Sequence, residues 1–101
     1  NKLSLIELND TTYIRTWNND WKTNRLFVNS GTLIMDSHPT FSLLRNNATI
    51  VLDTGSSITT SSLEGSGIYQ FPLVSDPTMP VVTVNTDDAN LSAHRIIITT
   101  I

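Results

Sequence analysis

Short apolar runs separated by turn-forming residues recur along the chain. Leu3, Leu5, Ile6 and Leu8 mark a first strand over 2–8, suited to a sheet edge or to pairing with a neighbour. Further runs mark strands over 26–28, 32–35, 41–44, 48–52, 68–74, 81–84 and 95–101, with isolated apolar positions at Ile58 and Leu63. Between them, Asn-, Asp-, Ser-, Gly- and Pro-bearing stretches read as turns at 9–12, 29–31, 36–39, 45–47, 53–55, 75–80 and 85–90, and 64–67 reads as a flexible loop. Pro72 cannot donate to a ladder, which assigns its strand to an edge or a bulge.

Most runs are continuous and short, and few alternate cleanly. Two all-β architectures produce such a pattern. One is a β-solenoid, a parallel β-helix whose successive coils stack short strands across tight corners. The other is an antiparallel β-sandwich. Aligning Leu33-Ile34-Met35, Ile50-Val51-Leu52 and Ile68-Tyr69-Gln70-Phe71 gives offsets of 17 and 18 residues, which favours coils. The chain reads as one β-rich domain or a piece of a longer chain, with an edge strand and aromatic segment over 1–24 and a β core over 25–101. Its first residue is Asn1 rather than Met, the mark of a processed product or of part of something longer.

Composition strengthens the β reading. Of 101 residues, 15 are Thr, 10 Ile and 6 Val, against 3 Ala. β-Branched side chains fit a pleated surface and lose rotamer freedom in a helix. Charge narrows the partners. The net charge is −3 and the six Lys and Arg are scattered, whereas a nucleic-acid surface needs a concentrated basic face. No apolar run approaches the roughly 20 residues of a membrane helix. With no cysteine, disulfides and thiolate metal sites are excluded. This low-charge composition, rich in Thr, Ser and Asn, is similar to that of secreted bacterial surface proteins and phage tail proteins.

The stretch Ile50-Val51-Leu52-Asp53-Thr54-Gly55-Ser56-Ser57 carries the sharpest chemistry. It resembles the signature of retroviral-type aspartic proteases, an apolar pair followed by Asp-Thr/Ser-Gly. That resemblance implies a homodimer in which Asp53 of each subunit shares a proton and activates water. The chain departs from the family pattern downstream, where Ile96-Ile97-Ile98-Thr99 lacks the expected Gly. The longer phrase from Asn47 to Ile58 also resembles pectate-lyase-like right-handed β-helices of phage tailspikes and surface proteins. This second resemblance implies a trimeric protein facing a receptor or polysaccharide. Read from the residues alone, Asp53-Thr54-Gly55 is a turn whose Asp caps backbone N–H groups and whose Gly takes positive φ.

Other candidates are fewer. Tyr13, Trp17 and Trp21 recur every four residues, a spacing that shares one face of a helix or a strand. They form either a sugar-stacking platform or a core anchor. Asp36, Asp53 and Glu64 are the acids that a tailspike-type hydrolysis would pair across a groove. His38 and His94 lack a third ligand at recognisable spacing, so neither metal nor cofactor is implied. The 85–90 loop carries oxygen ligands suited to calcium, or simply a solvated turn. Asn9, Asn47 and Asn90 lie in Asn-x-Ser/Thr sequons.

Taken together, these features lead us to expect a non-enzymatic structural and adhesive module of an extracellular or virion-surface assembly such as a phage tail, fibre or pilus-like polymer. Self-association or neighbouring subunits, and a surface glycan, are the expected partners. The alternatives are the Asp53 protease and a small carbohydrate-binding module using Tyr13, Trp17 and Trp21.

Overall fold

The computed structural model describes residues 3–11, 13–72, 80–84 and 95–99. All regular structure among them is strand: β1 Leu3–Leu8, β2 Tyr13–Arg15, β3 Thr23–Val28, β4 Thr32–Met35, β5 Thr40–Asn46, β6 Thr49–Leu52, β7 Ser57–Glu64, β8 Ile68–Pro72, β9 Val81–Val84 and β10 Arg95–Thr99. Odd-numbered strands form one five-stranded sheet, β1-β3-β5-β7-β9, and even-numbered strands form the other, β10-β8-β6-β4-β2. Every ladder is parallel. The chain therefore alternates between two facing sheets and advances by one strand per circuit. This is the stacked coil of a β-solenoid, and the antiparallel sandwich is set aside.

Parallel register stacks like on like. Ile6, Leu26, Leu44 and Leu63 form one column. Ile14, Leu33, Ile50 and Tyr69 form the facing one. Leu26, Leu33, Leu44 and Ile50 are wholly buried, and Val28, Met35, Phe41, Leu52 and Ile58 complete the filled interior. Each such side chain contributes about 1.5–3 kcal/mol by leaving water.

Strands β3, β5 and β7 break the two-residue alternation at the same place. Their buried pairs are Thr23 and Leu26, Phe41 and Leu44, Thr60 and Leu63, each three apart. Three strands in register thus share one bend. Two buried threonines serve it: the Thr23 hydroxyl donates to the Arg25 carbonyl at 2.9 Å, and that of Thr60 to the Ser62 carbonyl at 2.8 Å. A buried carbonyl without such a donor would carry its full desolvation cost.

The structure corrects several boundaries. The segment with isolated Ile58 and Leu63 is the eight-residue strand β7. Tyr13–Arg15 is a strand. Ile68 pairs with Thr49, so Tyr69, not Ile68, stacks on Ile50, one residue from the alignment read in the sequence. That slip exchanges the inner and outer faces of the strand. Strand β8 lies between β6 and β10 and is no edge; Pro72 ends it. The 85–90 loop and His94 lie outside the described residues.

The corner after the odd-numbered strands is built from asparagine. Asn29 Nδ2 donates to Asn9 Oδ1 at 2.7 Å. Asn46, wholly buried, donates through Nδ2 to the Ile68 carbonyl at 3.0 Å and accepts the Ala48 N–H at 3.0 Å. Gly65 and Gly67 lie directly over this corner, and Gly67 N donates to the Asn46 carbonyl at 2.7 Å. The segment read as a flexible loop is thus packed against the coil before it.

Candidate functional site

The opposite corner, after the even-numbered strands, collects the exposed chemistry. Met35 and Leu52 are in register, so the residues that follow them, Asp36 and Asp53, stand on successive coils. Arg15 reaches them from β2. Its Nη1 lies 3.1 Å from Asp36 Oδ2 and 2.6 Å from Asp53 Oδ2. One guanidinium thereby ties three neighbouring coils together.

Asp36 is the more enclosed acid, with 18% of its side chain exposed against 39% for Asp53. Its Oδ1 accepts from the Thr16 hydroxyl and from Asn18 N, the latter at 2.7 Å. Thr16 Oγ1 in turn accepts Asp36 N at 3.1 Å and the buried Ser37 hydroxyl at 3.2 Å. Burial pushes the Asp36 carboxyl up, but the bonds from Thr16, Asn18 and Arg15 outweigh it and hold the group below its ordinary value. The Arg15 guanidinium is correspondingly raised by its bonds to Asp53 and Asp36.

An acid whose folded pKa lies below its unfolded value of 3.8 stabilises the fold fully above about pH 4, and that contribution fades as pH falls through the folded value. We expect Asp36→Asn to lower the urea midpoint at pH 7 and to flatten its decline below about pH 4. Equal acid slopes for the variant and the parent would contradict this.

Asp53 does not cap its own turn with its carboxylate, as the sequence suggested. Its main-chain carbonyl accepts Ser56 N at 3.2 Å and the Ser56 hydroxyl at 2.7 Å. Gly55 takes the expected positive φ of 79°. The carboxylate instead meets Arg15, and the two acids brought together are Asp36 and Asp53 of one chain. Between them sits a guanidinium, which takes the place a shared proton would hold in a carboxylate dyad. Glu64, grouped with them in the sequence reading, pairs at the other corner with Arg45 at 2.8 Å.

His38 and Ser57 are joined, with Nδ1 3.0 Å from the hydroxyl. Asp20 accepts the His38 backbone N–H at 2.7 Å, so this bond is to the main chain and not to the imidazole. A nucleophile–base arrangement needs the third group on the ring. Among the described residues no cluster of His, Asp and Glu could hold a metal ion.

The aromatic segment divides. Trp21 is half-buried and packs against the core. Tyr13, on β2, is 76% exposed and Trp17 75%. Trp17 and Asn18 occupy the centre of a turn closed by Asn19 N donating to the Thr16 carbonyl at 3.2 Å, with φ of 56° and 58°. Positive φ at both central positions defines a type I′ turn, which asparagine and glycine tolerate. For a bulky L-residue the left-handed region costs about 1–2 kcal/mol, and the exposed indole gains little burial to offset it. The turn is held by Asp36, through Asn18 N, and the Arg15 guanidinium carbon lies 5.7 Å from the Trp17 ring centroid, near the outer limit of a cation–π contact.

Sequence reasoning missed Arg15 and Thr16 altogether. Asp36 and Asp53 are 17 residues apart, the same offset as Leu33 and Ile50, so that pairing was readable once the coil was accepted. Comparison with protein-family models, curated proteins and solved structures finds no match.

Proposed function

We propose that this chain is a structural and adhesive module of an extracellular or virion-surface assembly, a rigid β-solenoid segment that presents Tyr13 and Trp17 on its side. The observation that carries the reading is the stack itself. Among the described residues, Ile6, Leu8 and Ile14 of the outermost strands at one end, and Val82 and Val84 of the outermost odd-numbered strand at the other, are only partly buried, while their register partners one coil inward, Leu26, Val28 and Leu33 at the first end and Ile58 and Thr60 at the second, are wholly buried. A further coil seated on either end, whichever chain it comes from, would complete their burial and continue the ladder.

Analytical ultracentrifugation combined with electron microscopy tests this. Growth from nanomolar to micromolar concentration into elongated particles is expected. A folded globular monomer throughout that range would overturn the assembly reading.

A further inference from the structure

Trp17 is costly where it stands. An asparagine would suit its left-handed backbone better, and the indole is three-quarters exposed, so packing does not explain it. The turn that carries it is nevertheless pinned to the neighbouring coil through Asn18 N and Asp36. Strain held in place by surrounding bonds, on a large exposed aromatic, is the signature of a contact surface and not of a core.

We propose that Trp17, with Tyr13, is the stacking platform for a neutral polysaccharide. This deepens the adhesive reading and rests on it. The ligand class follows from the surroundings. The charged groups bonded together at this corner are Arg15 and the carboxylates of Asp36 and Asp53, a local balance of −1. A sulfated or carboxylated chain meets net repulsion there, and the one guanidinium at the platform is already engaged by two carboxylates. A neutral pyranose offers the indole its C–H face, and it offers hydroxyls to the exposed side chains of Asn18 and Asn19, the next two residues, of which Asn19 also donates through Nδ2 to the Trp17 carbonyl at 3.4 Å. Trp21, packed on the core, takes no part.

The test uses the full chain and matched polymers, dextran and dextran sulfate, with neutral gluco-, manno- and galacto-oligosaccharides beside polygalacturonate. Retention in affinity electrophoresis measures binding. Tryptophan emission in a Trp21→Phe background reports on Trp17 alone. At least one neutral sugar is expected to retard the protein and shift the emission of Trp17, with dextran sulfate and polygalacturonate weaker. Trp17→Asn is expected to weaken that retention by about tenfold or more while raising the melting temperature, since the new residue fits the turn. Because the variant is expected to fold better than the parent, lost binding cannot be ascribed to unfolding.

Retention unchanged in Trp17→Asn, binding confined to the charged polymers, or no neutral sugar bound at all would each overturn the proposal. Sedimentation of the parent chain keeps the two readings apart: no neutral sugar bound by the parent with assembly intact refutes the sugar platform alone, and assembly absent with parental binding intact refutes the polymer alone.

Discussion

Replacing Gly65 with alanine is expected to destabilise the fold by about 3 kcal/mol or more, read from the urea midpoint. A methyl group there would lie 2.7 Å from the Asn46 carbonyl carbon and 2.9 Å from Asn47 Oδ1, and closer still to the Asn46 carbonyl oxygen. Most of that obstacle is main chain, which cannot rotate away as a side chain would. Moreover, Gly65 has φ of 101°, a region that an L-residue enters only with strain. Coil spacing is set by hydrogen bonds along the whole stack, so relief would require separating two rungs. Gly55→Ala is the matched control. Its φ of 79° is also positive, but nothing lies within 4 Å of the added carbon. Its expected loss is the backbone term alone, about 1 kcal/mol. Equal losses at the two positions would show that the conformation, and not the close approach of coils, dictates the glycine.

The second large effect is expected at Asn46. Asn46→Leu should cost about 2–4 kcal/mol, because the part-buried Ala48 N–H and Ile68 carbonyl each lose a partner at a wholly buried side chain while the new side chain brings none. Asn46→Asp separates the two bonds: the acceptor to Ala48 N survives, while a carboxylate oxygen replaces the donor facing the Ile68 carbonyl. Asp is therefore expected to fall at least as far as Leu at pH 7 and to recover in acid, where its protonated form can donate. A variant with parental stability would mean that water replaces the amide without loss.

Both predictions concern the asparagine–glycine corner, and that corner explains how the opposite one can carry strain. The stack is held by its filled columns and by the bonds of Asn46, Gly67 and Ile68. The Arg15, Asp36 and Asp53 corner is then left to support an exposed turn with an unfavourable residue. Arg15→Met is expected to lower the melting temperature and to move it further as pH rises from 4 to 7, because two carboxylates on adjacent coils then face each other without a cation.

Much of the scaffold could be read from the chain. Leu33-Ile34-Met35 and Ile50-Val51-Leu52 are strands at an offset of 17, and they do stack in register. Asp53-Thr54-Gly55 is a turn whose glycine takes positive φ. β7 escaped notice because Thr59, Thr60, Ser61 and Ser62 hide its inward positions. At its bend the core is served by the Thr60 hydroxyl, so the period of two is broken where a sequence pattern needs it most. The Gly65 segment looked like a loose loop because glycine permits flexibility and close packing equally well. Only the neighbour above Asn46 chooses between them.

Arg15 shows the limit most clearly. Its partners are 21 and 38 residues away, on two different coils, and no local pattern marks it. The sequence by itself determined that the chain is all-β, most of its strands though not β2 or β7, and the turns that interrupt them. Those properties follow from side-chain branching, alternation and turn chemistry within a few residues. The tertiary structure alone decided the one-residue register of β8, the bend shared by β3, β5 and β7, and the meeting of Arg15 with two aspartates. Register and cross-coil contact depend on which strand lies alongside, and in a parallel coil that neighbour is nearly twenty residues away.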